Sequence, residues 1–221
     1  SFLLGGLVDR LYVDWGDGTV TSGDLSPQHA YAGAGAYTVK VYGARPASGL
    51  IFTDTRVAGD IADFAVLPGL ATLVLNASID GTLADVAALT DLTAFSFGSG
   101  TLTGDLEDLT ARTDITALNM AGTDALTGDL SDLAGLTGLT SLSLGASGLG
   151  STAITGDLAV ATSFTALETL ALEGLAIDTY SGGSFATSLL LMNVGFCDLD
   201  STALGALVTT LHGDRVAHGS K

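Results

Sequence analysis

The stretch Leu126-Thr127-Gly128-Asp129-Leu130-Ser131-Asp132-Leu133-Ala134-Gly135-Leu136-Thr137-Gly138-Leu139-Thr140-Ser141-Leu142-Ser143-Leu144 decides the fold. Its second half spaces leucines as L-x-x-L-x-x-L-x-L. The closing L-x-L has the period of two that sends both side chains to one side of a short strand. Its first half joins a glycine, which permits a sharp backbone turn, to an aspartate, which accepts from exposed N–H groups. Working outward, the Gly-Asp-Leu element returns as Gly59-Asp60-Ile61-Ala62-Asp63-Phe64, Gly81-Thr82-Leu83-Ala84-Asp85-Val86 and Gly104-Asp105-Leu106-Glu107-Asp108-Leu109, and in degenerate form from Gly156-Asp157-Leu158. The starting glycines lie 22, 23, 24 and 28 residues apart. Between them the leucine pattern returns at Leu67, Leu70, Leu73 and Leu75, at Leu89, Leu92, Phe95 and Phe97, and at Ile115, Leu118 and Met120. It continues at Phe164, Leu167, Leu170 and Leu172, with a weaker last version at Phe185, Leu189 and Leu191. A period in the twenties marks a solenoid, because one such coil cannot bury its own core and must stack on its neighbours. Equivalent strands then form a parallel sheet on one face, and the Gly-Asp-Leu elements form a second ladder opposite.

From about residue 57 to 196 the chain resembles a leucine-rich-repeat array, with an L-T-G-x-L element like that of the plant-type subclass. Two departures stand out. The asparagine expected after the strand occurs at Asn76 and Asn193, and the proline that usually follows the second strand is missing.

The beginning differs. Leu11–Val20 reads as a strand, an Asp-Gly turn and a second strand, followed by His29-Ala30-Tyr31, a Gly33–Gly35 turn and Tyr37-Thr38-Val39-Lys40-Val41. The combination W-G-D-G, H-x-Y, G-x-Y-T-V resembles the polycystic-kidney-disease-type (PKD) β-sandwich. The room available implies a partial module that packs on the first coil. At the other end Leu204, Leu207, Val208 and Leu211 recur at helical spacing after Asp200, a candidate N-cap. The expectation is mainly β: a leucine-rich-repeat solenoid of short parallel strands over 51–200, a small β-sandwich-like module over 1–50, and a C-terminal capping helix with a frayed tail from His212 over 201–221.

The chain has 221 residues, with 24 acidic against seven basic, a net charge of −17. Phosphate neutralisation needs Lys and Arg, so this balance argues against a nucleic-acid partner and against anionic membrane surfaces. No apolar run has the length of a membrane-spanning helix, so membrane insertion is not expected. With Cys197 the sole cysteine, an intrachain disulfide is excluded, and its apolar neighbours predict a buried thiol. The first residue is Ser1, and no signal-type segment is visible, which leads to the expectation of a processed chain or a piece of a larger protein.

Candidate chemistry is sparse. Of three histidines, His29 belongs to the sandwich motif and His212 and His218 lie at or beyond the last helix. No G-x-S-x-G elbow, phosphate loop or H-E-x-x-H is present, so no catalytic or cofactor-binding residue is expected. Stacked coils could align Asp60, Asp105, Asp129 and Asp157 in one row, and Asp63, Asp85, Asp108 and Asp132 in another. Such carboxylates are weak Ca²⁺ candidates, Asp105, Asp129, Asp108 and Asp132 above all, and so are Asp14, Asp17 and Asp24. The alternative is that each aspartate caps its own turn. The strand face should expose Thr72, Val74, Ala94, Ser96, Ala117, Asn119, Ser141, Ser143, Thr169 and Ala171. That surface is small and neutral, lacking the Trp, Tyr and Arg that concentrate binding energy.

The joined architecture resembles structural or appendage proteins of phages and surface proteins of bacteria. The resemblance implies a non-enzymatic, externally displayed structural or adhesive protein, leaning to a virion decoration, fibre or tail accessory. Its partners would be proteins of an assembly, or a cell-surface glycan or protein. The alternatives are a bacterial recognition module and an accessory domain of a larger extracellular enzyme.

Overall fold

Leucines spaced for a strand and glycines spaced for a turn make each coil a flattened loop with its apolar side chains inside. The computed structural model describes residues 2–5, 12–23, 29–33, 35–42, 48–52, 57–67, 69–120, 124–145 and 153–217. With strands numbered in chain order, the large sheet runs β1 (Phe2–Gly5), β5 (Gly49–Phe52), β7 (Thr72–Asn76), β9 (Ala94–Ser99), β11 (Ala117–Asn119), β13 (Ser141–Ser143), β15 (Thr169–Ala171), β16 (Leu191–Asn193). A second sheet holds β14 (Ala153–Thr155), β12 (Leu126–Asp129), β10 (Leu102–Asp105), β8 (Ser78–Thr82) and β6 (Ala58–Asp60), in that order. A third, antiparallel sheet holds β3 (Val20–Ser22), β2 (Tyr12–Asp14) and β4 (Lys40–Tyr42). Strands of the first two sheets pair in parallel, except that β1 runs antiparallel to β5. The molecule is thus mostly β with parallel-strand sheets, the organisation that the leucine spacing predicts.

Register keeps the core in line. Leu50, Leu73, Phe95, Leu118, Leu142 and Leu170 face one another across successive strands and are buried. Each buried side chain of this kind contributes about 1.5–3 kcal/mol relative to exposure. The backbone repeats the same geometry at the entry to each strand. Thr93 and Ala94 both donate to the Ala71 carbonyl, Thr116 and Ala117 to that of Thr93, and Leu190 and Leu191 to that of Glu168.

The connections between the two parallel sheets are short. Four are 3₁₀ turns, Ile61–Val66, Leu106–Leu109, Leu130–Leu133 and Leu158–Ser163, and one is the helix α1 (Leu83–Ala88). The glycines that open them follow from close packing. Gly128 has φ +119°, and a Cβ there would lie 2.6 Å from Asp105 Oδ1 and 2.8 Å from the Leu106 nitrogen.

Several sequence expectations need correction. Leu191 is not an inward residue: its register partner is Thr169, it is exposed, and Met192 stands opposite the buried Leu170. A one-residue slip exchanges the two faces of a strand, and the apolar run Leu189–Met192 hides that slip from periodicity. The last helix α2 (Ser201–Ala217) does not fray at His212. Asp200 caps it through Thr202 and Ala203, and Asp214 accepts from the Phe185 N–H at 3.2 Å, which ties down its second half. The strand expected over 37–41 is limited to Lys40–Tyr42, because Tyr37 stacks on Tyr31 and donates to the Gly33 carbonyl. Residue 50 itself lies in β5, which pairs with β7 in the large sheet.

Candidate functional site

The predicted face is assembled by register into two outward rows. One runs Thr72, Ala94, Ala117, Ser141, Thr169, Leu191 and the other Val74, Ser96, Asn119, Ser143, Ala171, Asn193. All seven predicted surface residues, Thr72, Val74, Ser96, Asn119, Ser141, Ser143 and Thr169, therefore share one face. From β7 to β15 its side chains are short, so that part of the face offers shape and a few hydroxyls.

The candidate calcium ligands are committed to backbone. Asp105 accepts from the Glu107 N–H at 3.0 Å, Asp129 from Ser131 at 2.8 Å, and Asp157 from Ala159 at 2.8 Å. Asp108 and Asp132 reach back to the N–H of Asp105 and Asp129, closing reciprocal capping boxes. The Thr127 hydroxyl donates to Asp105 at 2.7 Å, and chiefly for that reason the Asp105 carboxyl titrates below its ordinary range. Among the described residues no three His, Cys, Asp or Glu side chains converge as a metal site. Asp24 and His218 lie outside the described residues.

The N-terminal motif builds a tight aromatic and polar knot. Trp15 is buried, its indole N–H donates to Thr21, and its ring stacks on His29. The ring of His29 meets Tyr31 edge-on, and Tyr31 donates to the Trp15 carbonyl at 3.0 Å. Asp17 holds the turn from within: it takes the Thr19 hydroxyl at 2.6 Å, the Thr19 N–H, and His29 Nε2 at 2.7 Å. The Thr19 hydroxyl bond is the main cause that lowers the Asp17 carboxyl to about 2. The Thr19 hydroxyl oxygen also lies 3.4 Å from His29 Nε2, so the three side chains close one small polar triangle. On the opposite face of β2, Tyr12 and Tyr42 are cross-strand neighbours with ring centroids 5.7 Å apart, 42% and 51% exposed.

Arg112 is a residue that periodicity does not find. It stands three residues before Ile115, where neighbouring coils carry Leu89 and Leu136, and it is only 6% exposed. Its guanidinium donates to the carbonyls of Val86, Ala87, Leu89, Thr90 and Leu92 at 2.7–3.3 Å. Those oxygens belong to the end of α1 and the turn after it, where helix-end carbonyls favour a cation; the Val86 and Leu89 carbonyls also accept from the N–H of Leu89 and Leu92. The gap in the leucine series at this position was the available signal.

Two further features complete the survey. Cys197 is half-buried, donates to the Leu172 carbonyl, and is pushed up by burial, so the thiol stays protonated at neutral pH. A groove of about 420 Å³ between the first two coils is lined by Val66, Leu67, Leu70, Leu89 and Asp91, among others. Asp91 there accepts from the Gly69 N–H at 2.7 Å. Among the described residues no helix is long and apolar enough to cross a membrane.

No protein-family model matches the chain, and no curated protein matches it. Among solved structures the chain is similar to an internalin from Listeria monocytogenes, at 15% identity and a TM-score of 0.41. The match covers 67% of this chain and 55% of the internalin chain, so the protein spans little more than half of that structure.

Proposed function

We propose that the protein is a non-enzymatic, externally displayed structural or adhesive scaffold, of the kind carried on a phage virion as a decoration, fibre or tail accessory. The observation that carries this reading is the pair of outward rows, which present short neutral side chains from β7 to β15. Such a face packs flat against other protein surface and offers little to hold a small substrate. The commitment of the turn aspartates to capping accords with a scaffold that needs no metal or cofactor. PKD-likeness of the first module and a capping role for α2 belong to the same reading.

Antibody labelling of assembled particles, viewed by electron microscopy, tests it: many symmetric copies on a virion are expected. Tight glycan capture by the purified chain, abolished by Ser143→Arg on the strand face, would overturn it. A recognition role is the second reading, favoured by exposed Tyr12 and Tyr42, since clustered tyrosines are common contact anchors. Purified wild-type chain that shows no binding to host glycan or protein would remove that reading, and binding lost in a Tyr12→Ala, Tyr42→Ala double variant would support it.

A further inference from the structure

The groove of about 420 Å³ between the first two coils lies where the next pair of coils holds the head of Arg112. Register fixes the correspondence. Leu73 pairs with Phe95, so Ala65, Leu67 and Leu70 of the first coil are the counterparts of Ala87, Leu89 and Leu92 in the second. Phe95 pairs with Leu118, so Leu89 and Asp91 are the counterparts of Arg112 and Asp114 in the third. The turns agree: the N–H groups of Leu67, Leu89 and Arg112 donate to the carbonyls of Phe64, Val86 and Leu109. One step along the stack, the space bounded by these residues is filled by a guanidinium. It grips the carbonyls of Ala87, Leu89 and Leu92, among others, and meets the Asp114 carboxylate at 3.4 Å. Between the first two coils the carboxylate recurs as Asp91, but Leu89 stands where the arginine would be. Elsewhere in the array this position carries Gly69, Gly138, Ala166 and Ser188, so only these two coils have an acid there.

The filled position says what fits the open one. Asp91 is exposed, and its bond from the Gly69 N–H at 2.7 Å fixes the carboxylate at the groove wall. The carbonyls of Ala65, Leu67 and Leu70 are counterparts of three that Arg112 takes. Aliphatic side chains line much of the rest, and Val66 among them is 80% exposed. Such walls suit a weakly hydrated, planar cation on an apolar stem better than a strongly hydrated ion or ammonium. A net charge of −17 draws a cationic partner towards the chain. We infer that this groove receives an arginine side chain presented by a partner protein, held as Arg112 is held one coil further on. The site shares no residue with the outward rows of the sheet, so its failure leaves the scaffold role untouched.

Amide proton–nitrogen NMR spectra of the full chain, titrated with N-acetyl-arginine amide, test the proposal. The Gly69 and Asp91 signals should move and saturate with a Kd on the order of 1 mM. The neutral isostere N-acetyl-citrulline amide should move neither, and the lysine analogue should bind several-fold more weakly. Asp91→Asn keeps an acceptor for the Gly69 N–H, so it should weaken arginine binding about fivefold with the rest of the spectrum unchanged. No movement at Gly69 and Asp91 up to tens of millimolar, an equal response to citrulline, or undiminished binding by Asp91→Asn would each overturn it. Binding of free L-arginine without binding of the capped form would overturn it too, since a partner's arginine carries no free amino or carboxyl group.

Discussion

At Arg112 the aliphatic stem fills a leucine position while the head gathers five carbonyls that no leucine could satisfy. Removing the head takes a donor from the carbonyls of Ala87, Thr90 and Leu92, while those of Val86 and Leu89 keep a backbone N–H. Arg112→Met should therefore cost on the order of 3 kcal/mol in urea unfolding, in the range for a stranded buried polar group. Arg112→Lys should recover only part of that loss, because an ammonium lacks the planar fork that spans the carbonyls. A loss below about 0.5 kcal/mol, the usual size for surface changes, would mean the carbonyls find water instead. Asp17 gives a second prediction at this scale. Its carboxyl is lowered to about 2 in the folded state against 3.8 ordinarily, so its stabilisation is complete above 3.8 and is lost as pH falls towards 2. The lowered carboxyls of Asp105 and Asp157 act with the same sign. Emission from Trp15, the sole tryptophan, reports the knot directly. It should shift red between about pH 4 and 2 in the wild type, and the transition should be weaker in Asp17→Asn. An unchanged acid transition in the variant would assign the pH response elsewhere.

The repeated element is a glycine, an aspartate and a short turn, and its two recurring residues do different work. Asp129 caps the turn Leu130–Leu133, and Asp129→Ala should cost about 1 kcal/mol, the usual value of an N-cap. Gly128 holds φ +119° against the Asp105 carboxylate, so Gly128→Ala brings strain and collision together and should cost about 2–3 kcal/mol. Thermal melts of the two variants check the order: the glycine change must be the worse. These elements were legible in the sequence because turn chemistry and leucine spacing recur at one period. What was not legible has specific causes. The run Leu189–Met192 fits either register, and only the ladder to Glu168 decides it. Arg112 reads as surface because charge normally does. The exposure of Tyr12 and Tyr42 depends on which face of β2 packs inward, and Val13 and Trp15 take that face. The strand-face residues fall into two registered rows because period two fixes their side once the leucines are inside.

On the scale of the whole molecule, 24 acids against seven bases on a stack of coils imply self-repulsion. Neighbouring strands in a sheet lie about 4.8 Å apart, well inside the roughly 10 Å over which charges interact at 0.1 M salt. Screening should therefore raise Tm steadily from low to moderate NaCl, in a protein whose turn carboxylates are otherwise satisfied by backbone. Calcium sharpens the measurement. If Asp105, Asp129, Asp108 and Asp132 act only as caps, Ca²⁺ raises Tm no more than Mg²⁺ at equal ionic strength, and a chelator leaves it where it was. A Ca²⁺-specific rise of several degrees would instead mean that rearranged capping carboxylates bind the ion, since a ligand favouring the folded state stabilises it in proportion to its affinity. The two behaviours separate in a single set of melts, and the hydrogen bonds from Glu107, Ser131 and Thr127 favour the first.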